Sequence, residues 1–507
     1  MSPVEPKKQF KKVLIANRGE IAVRIARTLR VMGITPVAVY SDVDRRAPHV
    51  WMADEAYCIG HAPANESYLL GDKIVEVAKQ SGVDAIHPGY GFLSENTDFA
   101  RKVTAEGITF IGPSPEAITL MGSKTAARKR MQEIGVPCIP GSEALKDVAA
   151  AEAFAKEIDF PILIKAAAGG GGKGMRLVNS MDELAAAFRG AQSEALKSFS
   201  DDTVFIEKAV LNPRHVEIQI LSGPDHRTLW LGERECSMQR RHQKIIEETP
   251  CSVLSEKVRE EMGAISCKLA EEIGYVGAGT VEFLLDEQEN FYFLEMNTRL
   301  QVEHPITELC AGIDLVEAQV KIAQGEPLEL KQEDLKRQGY AIEARIYAED
   351  ANQNFMPCPG HIEEIILPAG PGIRVDCGVN SGFEVPRYYD PMIAKISAWG
   401  TSREEARSRL DRALRETAVK GITSNTVFLR QLLKSDEFKT GQYHTGTVEN
   451  IKLKSAEELT QDNSDLAIIA AAIIEFEKDK SQSRQTSQTQ TSNTSWWRAS
   501  SNAWRSV

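Results

Sequence analysis

The sequence lacks the cysteine spacing, the long apolar runs and the excess of basic residues that mark several classes of protein. Its eight cysteines form no Cys-x-x-Cys pair, which argues against a structural zinc site and favours a reducing compartment. No apolar run is long enough to cross a bilayer, and the N-terminal residues show no apolar segment typical of a secretory signal. A net charge of −12 argues against general binding of nucleic acid. These absences predict a cytoplasmic protein with no membrane and no nucleic-acid partner.

The N-terminal part alternates short apolar runs with helical patterns, which predicts a parallel sheet wrapped by helices. A helix is expected at 20–32, and strands are expected at 13–16, 35–40, 85–87 and 109–111. Ligands of such sheets collect at the carboxyl ends of the strands. The turn from His87 to Gly91, which includes Tyr90, is therefore a candidate part of a site.

The middle of the chain has a different residue pattern, since polar and apolar residues partly alternate in its strand-like segments. Antiparallel strands are predicted at 161–165, 175–178, 204–208, 216–221, 280–285 and 291–295. A third unit is predicted from about residue 338 to 449, with strands at 340–347 and 393–399 and a helix at 403–417. The predicted fold class is therefore multidomain, combining α/β and α+β parts.

The last fifty or so residues differ from the rest in composition. A helix with an apolar face is predicted at 463–478, and from Ser481 onward the chain is rich in Ser, Gln, Thr and Asn. Trp496, Trp497 and Trp504 lie in this polar tail. Two interpretations stay open, an aromatic anchor for a partner subunit and a disordered appendage. Deletion of 481–507 followed by co-purification with partner subunits would distinguish them.

A glycine-rich segment follows the strand that ends at Lys165. Its successive glycines, including Gly170, Gly171 and Gly172, can bring backbone N–H groups close to an anion, and Lys173 adds positive charge. The segment is not a Walker A loop, because Lys173 is followed by glycine rather than Ser or Thr. We expect it to bind phosphate; the alternative is a flexible linker.

Two otherwise apolar strands carry acidic residues, Glu282 on the first and Glu295 on the second. Asn297 lies two positions after Glu295, so the two side chains share one face of an extended segment. Carboxylate and amide oxygens are the ligands that Mg²⁺ prefers, and Mn²⁺ takes similar ones. The pattern predicts a metal site formed by these three residues.

A dense group of polar residues lies on both sides of this predicted metal site. Glu303 can act as a general base, and Arg299 can hold a small oxyanion with two hydrogen bonds. The remaining candidates are polar residues in nearby segments: His215, Gln239, His242, Lys244 and Arg345. For each of them alone, a surface ion pair or a satisfied core residue is the alternative, but together they predict a site for an anion and ATP.

The combination of motifs resembles the biotin carboxylases of the ATP-grasp superfamily over roughly residues 10–450. The matching motifs are IANRGEIA, HPGYGFLSEN, GGGGKGMR, RHVEIQ, ERECSMQRRHQK and EMNTRLQVEHPITE. The resemblance implies a Rossmann-like domain at 1–122 and an ATP-grasp domain at 123–335, with a mobile lid at about 138–210. It also implies a C-terminal domain at 336–455, followed by the tail at 456–507.

The resemblance also implies roles for individual residues. The residues expected to bind ATP are Lys124, Lys165, Gly170, Gly171, Gly172, Glu207, Lys208, His215, Gln239 and His242. Those expected at bicarbonate and biotin are Lys244, Arg299, Gln301, the Val302 backbone, Tyr90, Gly91 and Arg345. The metal is expected on Glu282, Glu295 and Asn297. The expected catalytic groups are Glu303, Arg299, Lys244 and Arg345.

The reaction implied by the resemblance is ATP- and bicarbonate-dependent carboxylation of carrier-bound biotin through carboxyphosphate. None of the twelve methionines is followed by lysine, the usual biotinylation target, so the biotin carrier protein and the carboxyltransferase are expected to be separate subunits. A homodimer is also expected from the resemblance. The motifs favour an acyl-CoA carboxylase, with pyruvate or 2-oxoglutarate carboxylase as alternatives. Another ATP-grasp ligase and a non-enzymatic assembly subunit are the remaining alternatives.

Overall fold

The computed structural model describes residues 8–166, 175–199, 201–452 and 454. Residues Met1–Ile451 belong to one compact unit. The predicted helix at 463–478 and the tryptophan-containing tail lie outside the described residues. None of the helices within the described part combines the length and the apolar character that a membrane span requires.

The N-terminal part is a parallel sheet covered by helices, as predicted. Its elements are β1 (Lys12–Ile15), α1 (Gly19–Val31), β2 (Thr35–Ser41), α2 (Pro48–Met52), β3 (Glu55–Gly60), α3 (Gly71–Ser81), β4 (Ala85–His87), α4 (Thr97–Ala105), β5 (Thr109–Phe110) and α5 (Pro115–Gly122). The strand order is β3-β2-β1-β4-β5 with every pair parallel. Strand β3 was not predicted, because only Ile59 is buried among its residues and the segment lacks a continuous apolar run.

Alternate residues of β1, together with Ala16 directly after it, enter two different cores. Val13 and Ile15 pack in one cluster with α1, whereas Leu14 and Ala16 pack in the other with β2. This alternation explains the uninterrupted apolar sequence of the strand, since both of its faces are covered. The first cluster also contains Leu229 and Leu315 from the middle of the chain, so it joins the N-terminal sheet to the part that follows.

The next part is a small antiparallel sheet packed on two helices. Its elements are α6 (Lys124–Glu133), α7 (Val148–Ile158), β6 (Ile162–Ala166), β7 (Met175–Val178), α8 (Met181–Phe199) and β8 (Val204–Lys208). The strand order is β7-β6-β8. Apolar residues of β6 and β8 pack against α7 and α8 in a core of their own.

The remaining elements build a large antiparallel sheet and the helices around it. The first group contains β9 (Arg214–Ser222), β10 (Thr228–Arg240), β11 (Gln243–Thr249), α9 (Glu256–Glu272), β12 (Gly277–Leu285), β13 (Phe291–Asn297), α10 (His304–Ala311) and α11 (Leu315–Ala323). The second contains β14 (Tyr340–Tyr347), β15 (Glu349–Asp350), β16 (Met356–Pro357), β17 (Gly360–His361), β18 (Glu364–Ile366), β19 (Ile373–Cys377), β20 (Glu384–Val385), β21 (Met392–Gly400), α12 (Arg403–Glu416), β22 (Ala418–Lys420), α13 (Thr426–Lys434), α14 (Asp436–Thr440) and α15 (Thr447–Asn450). Short 3₁₀ segments lie at Asp42–Asp44, Ala64–Glu66, Gln332–Asp334 and Ala351–Gln353.

The large sheet runs across two of the segments that the sequence suggested. Its strand order in the described chain is β13-β12-β9-β10-β11-β14-β21-β19. Strands β11 and β14 pair antiparallel, with Glu247 directly opposite Glu343. The predicted strands of the third unit therefore extend the sheet of the middle unit rather than forming a separate one.

Strands β10 and β11, which were not predicted, form a hairpin with a two-residue turn. Arg241 and His242 at the turn have φ values of 49° and 67°. Positive φ at both central residues is the geometry of the type I′ turn, whose twist matches that of the paired strands. The turn therefore returns β11 beside β10 and brings Lys244 opposite Gln239.

Candidate active site

A lysine whose side chain is 13% exposed lies at the centre of the large sheet. Lys244 Nζ is 2.6 Å from Glu217 Oε2, 3.0 Å from Glu282 Oε1 and 2.7 Å from Glu303 Oε1. Burial alone would lower the pKa of Lys244, but Glu217, Glu282 and Glu303 together raise it well above its ordinary value. Lys244 is therefore a permanent cation that holds three carboxylates in place.

Glu303 immediately precedes α10 and lies between two cations. Its side chain is 2% exposed, and its second oxygen accepts a hydrogen bond of 2.9 Å from Arg345 Nη2. Burial would raise the pKa of Glu303, but Lys244, Arg345 and Arg234 hold it well below its ordinary value. The carboxylate is therefore ionised at neutral pH and able to accept a proton.

Arg234 on β10 lies beneath this cluster and was missed by the sequence analysis. Its guanidinium is fully buried and donates to Glu217 Oε1 at 2.6 Å and to Gln219 Oε1 at 2.7 Å. It also donates to three further side chains, Thr307, Thr280 and Gln301. Arg234 therefore orients both Glu217 and Gln301. Its signal in the sequence was a basic residue at a strand position flanked by apolar and acidic residues inside the ERECSMQ motif.

Arg234→Lys should lower the free energy of unfolding by about 2 kcal/mol. A lysine ammonium cannot donate to all of the acceptors that the planar guanidinium of Arg234 reaches. Urea unfolding monitored by tryptophan fluorescence would measure the change. Arg130→Lys is the control, since Arg130 makes half-exposed ion pairs with Glu133 and Glu272 at 3.3 and 3.1 Å. An equal effect in both variants would contradict the prediction.

The predicted metal ligands lie at the edge of this cluster. Glu282 and Glu295 are directly paired across β12 and β13, and Asn297 is paired with Thr280 two residues further along. Asn297 Nδ2 donates to Glu282 Oε1 at 2.8 Å, and Gln301 Nε2 donates to the same oxygen at 2.7 Å. His215 Nε2 lies 2.9 Å from Glu282 Oε2.

This donor set fits a hard divalent cation. Carboxylate and amide oxygens are the ligands of Mg²⁺ and Mn²⁺. The buried ion pairs of the cluster join four carboxylates to three basic groups, namely Glu217, Glu247, Glu282 and Glu303 with Arg234, Lys244 and Arg345. Burial would raise the pKa of Glu282, but Lys244 and His215 hold it well below its ordinary value, so its carboxylate is ionised and suited to a bound cation.

Arg299 lies beside the predicted metal ligands. Its Nη2 donates to Asn297 Oδ1 at 2.7 Å, and its Nε donates to Glu95 Oε2 at 2.9 Å. A cleft of about 200 Å³ opens here, lined in part by Glu95, Glu295 and Asn297. Glu95 lies in the HPGYGFLSEN motif but was not predicted as a site residue.

Another lysine links the cluster to the N-terminal part. Lys395 on β21 is fully buried and donates to the Val302 carbonyl, and its Nζ lies 3.4 Å from Glu20 Oε1. The Tyr90 hydroxyl donates to the same Glu20 oxygen. Gly91 follows with φ of +68°, a conformation that favours glycine. Tyr90 is therefore linked through Glu20 and Lys395 to Val302, the residue before Glu303.

The residues predicted for ATP lie in two places. Lys165 and Glu207 pair across the small sheet at 2.5 Å, and Arg128 also donates to Glu207 at 2.8 Å. Lys208 donates to the Phe160 carbonyl at 2.8 Å. The others lie on or near the large sheet, with His215 and Gln239 buried on β9 and β10 and His242 at the exposed hairpin turn. Gly170, Gly171, Gly172 and the side chain of Lys124 lie outside the described residues.

Comparison with known families identifies the class of protein. Residues 123–331 match the family described as "Carbamoyl-phosphate synthase L chain, ATP binding domain". Together with the two antiparallel sheets and the buried carboxylates, this match defines an ATP-grasp ligase. Residues 9–118 and 343–450 match "Biotin carboxylase, N-terminal domain" and "Biotin carboxylase C-terminal domain". The chain therefore belongs to the biotin carboxylase family.

Individual relatives agree with this assignment. The chain is 52% identical to a biotin carboxylase of Halalkalibacterium halodurans over 448 residues, which is 88% of this chain and 99% of the relative. It is 48% identical to the mouse mitochondrial propionyl-CoA carboxylase alpha chain, covering 87% of this chain and 62% of that one. A solved biotin carboxylase domain dimer of Hydrogenobacter thermophilus 2-oxoglutarate carboxylase, in complex with MgADP, ADP and bicarbonate, superposes with a TM-score of 0.82 at 46% identity. That match covers 87% of this chain and 98% of the domain.

Proposed function

We propose that the protein carboxylates the biotin of a carrier protein, using ATP and bicarbonate, as the first half-reaction of an acyl-CoA carboxylase. One observation carries the chemistry: an ionised, buried Glu303 lies between Lys244 and Arg345 at 2.7 and 2.9 Å. A base between two cations is suited to an anionic substrate that must lose a proton at the moment it attacks.

In this proposal, bicarbonate binds against Lys244, Arg299, Gln301 and the Val302 backbone. The negative charge of bicarbonate competes with Glu303 for Lys244, so the pKa of Glu303 rises from its depressed value as the substrate arrives. Glu303 then takes the bicarbonate proton. The freed oxygen attacks the γ-phosphorus of ATP, the bond to the bridging oxygen of ADP breaks, and carboxyphosphate forms.

The second step uses the same site. Carboxyphosphate breaks down to CO₂ and phosphate, and the phosphate removes the N1 proton of biotin. The nitrogen then attacks CO₂ and forms carboxybiotin. Arg345 stabilises the negative charge that develops on the biotin oxygen. Tyr90 and Gly91 line the biotin side.

ATP is held by residues of both antiparallel sheets in this proposal. The phosphates contact Lys124, Lys165 and the glycine segment, with His215, Gln239 and His242 on the ribose-phosphate side and Glu207 and Lys208 at the adenine. Glu282, Glu295 and Asn297 hold Mg²⁺ or Mn²⁺, which neutralises phosphate charge. Reaching ATP requires Lys165 to leave Glu207, its 2.5 Å partner.

The subunit organisation is part of the proposal. We infer that biotin arrives on a separate carrier protein and that a carboxyltransferase subunit uses the product. The relatives include a protein named biotin carboxylase, of which the chain covers 99%, and a propionyl-CoA carboxylase alpha chain, of which it covers 62%. A homodimer and a cytoplasmic location complete the proposal. A role in pyruvate or 2-oxoglutarate carboxylation is the second candidate, favoured by the similarity to the 2-oxoglutarate carboxylase domain.

ATP hydrolysis in the presence of Mg²⁺ and bicarbonate, with and without free biotin, tests the function. We expect turnover to require bicarbonate, to increase with biotin and to stop when EDTA removes the metal, because phosphate charge is then unscreened. Excess Mg²⁺ should restore the rate. ATP hydrolysis at a rate that depends on neither bicarbonate nor biotin would identify a different ATP-grasp ligase.

A further inference from the structure

Two buried carboxyl groups lie behind Arg345. Glu247 on β11 and Glu343 on β14 are directly paired across the two strands, so their side chains share one face of the sheet. Both are fully buried. Glu247 Oε1 accepts a hydrogen bond of 2.6 Å from Arg345 Nε, and Glu343 Oε2 accepts one of 2.7 Å from Ser397.

The second oxygen of each carboxyl group has no hydrogen-bond partner in the described chain. These oxygens are Glu247 Oε2 and Glu343 Oε1. Buried polar atoms are almost always paired, and two ionised carboxylates offer acceptors only. A single proton on Glu343 Oε1 turns that group into a donor, and Glu247 Oε2 is the free acceptor opposite. A proton on Glu343 directed at Glu247 would therefore account for both unpartnered atoms.

We propose that Glu247 is a positioning residue for Arg345 and acts as the ionised half of a carboxyl pair in which Glu343 keeps one proton at neutral pH. The inference rests on the proposed function, in which Arg345 stabilises the biotin oxyanion. Glu247 fixes the Nε edge of the guanidinium, while Nη2 contacts Glu303. The pair thereby fixes the orientation of the Arg345 guanidinium. Protonation of Glu343 prevents a second negative charge beside that guanidinium.

The charged surroundings support this assignment of the proton. Burial raises the pKa of Glu343 to about 8, with Lys395 opposing and Glu247 adding to the increase. Burial raises the pKa of Glu247 to about 7, with Arg345 opposing and Glu303 adding to the increase. The titratable and charged groups that face the pair from the elements packed around it are Lys244, Glu303, Arg345, Lys395, Tyr90, Arg374 and Cys236. Glu247 accepts its hydrogen bond from a cation, Arg345, whereas Glu343 accepts from the neutral Ser397 hydroxyl, so Glu343 is the weaker acid and holds the proton.

The pH profile of biotin-stimulated ATP hydrolysis tests the pair. In the wild type, the rate should fall as the pH rises past about 8, because Glu343 then ionises beside Glu247. Glu343→Gln keeps a donor at every pH, so it should match the wild type at pH 7 and lose this alkaline decrease.

Glu247→Gln should lower kcat about tenfold with the KM for ATP unchanged, because the charge-assisted bond to Arg345 is lost.

Glu248→Gln is the matched control. Glu248 is the next residue of β11, is buried, and binds Arg403 at 2.7 Å on the opposite face of the sheet. This variant should keep the wild-type pH profile and kcat. The proposal is overturned if Glu343→Gln shows the same alkaline decrease as the wild type, or if Glu247→Gln keeps kcat within twofold.

Two readouts are independent of catalysis. Glu343 binds its proton more tightly in the folded chain than at its ordinary pKa of 4.5, so folding stability falls as pH rises towards about 8. The wild type should therefore lose more stability than Glu343→Gln between pH 6 and 9.

Infrared spectra of wild-type protein with ¹³C-labelled glutamate should show a protonated carboxyl band at pH 7 that disappears near pH 8. Absence of that band at pH 7 would overturn the shared proton even if the variants fail to fold. If biotin does not change the ATP hydrolysis rate of the wild type, the proposed function is overturned instead. The infrared band would still test whether the carboxyl pair holds a proton.

Discussion

Glu303→Gln should lower bicarbonate-dependent ATP turnover about 1,000-fold, the typical effect of losing a general base. Glutamine has nearly the shape of glutamate, but its single oxygen can replace only one of the two carboxylate oxygens that accept from Lys244 and Arg345, and it cannot take the bicarbonate proton. Steady-state release of phosphate with saturating ATP would measure the loss. The biotin-independent and the biotin-stimulated rates should fall together, since both begin with attack by bicarbonate.

Glu233→Gln is the matched control for this variant. Glu233 is equally buried and accepts hydrogen bonds from Arg259 Nε at 2.8 Å and from the Cys251 backbone at 3.0 Å, away from the cluster. We expect the control to lose stability and keep its turnover number. Retention of more than a tenth of the wild-type rate by Glu303→Gln would exclude Glu303 as the base.

Lys244→Met should lower the free energy of unfolding by about 3–5 kcal/mol, because removal of one partner leaves buried charges uncompensated. Three carboxylates, Glu217, Glu282 and Glu303, share this ammonium within 3.0 Å. Methionine matches the lysine side chain as far as Cε, so the change removes the ammonium group and little else. The urea midpoint, compared at equal slope, would measure the effect.

Lys321→Met provides the comparison for Lys244→Met. Lys321 pairs with Glu317 at 2.6 Å one helical turn away, and its side chain is 49% exposed. An exposed pair of this kind contributes at most about 1 kcal/mol. If the two variants differ by less than that amount, the three carboxylates do not depend on Lys244.

The sequence predicts elements well where apolar patterning is uninterrupted. Strands β1, β2 and β4 and helix α12 lie within a residue or two of their predicted positions, and the parallel and antiparallel parts are confirmed. Strands β10 and β11 were missed because charged residues interrupt their apolar pattern. These charges are buried in ion pairs, which a pattern of polar and apolar residues cannot distinguish from solvated ones.

The site shows the same limit of sequence reasoning. Lys244 and Glu303 were identified within quoted motifs, and Arg345 as a cation on the strand predicted at 340–347. Their partners Glu217, Arg234 and Glu247 were not identified, although all three lie within or beside the quoted motifs. Lys395 carried one local signal, a lone lysine in the apolar strand Met392–Gly400. Its contact with the Val302 carbonyl depends on a separation of 93 residues, which no local pattern encodes.

The order in which the sheet is assembled has a consequence for synthesis of the chain. On the ribosome, Glu217, Glu282 and Glu303 emerge before Arg345, which follows Glu303 by 42 residues, and before Lys395. Strand β14 then joins the edge of β11, and β21 joins β14. A nascent chain that stops before residue 340 therefore has more carboxylates than cations in this cluster. The edge of β11 is also left without its neighbouring strand. Such a chain should be a substrate for chaperones until the last strands arrive, and the same exposed edge makes residue 335 a poor place to divide the gene into two separately expressed halves.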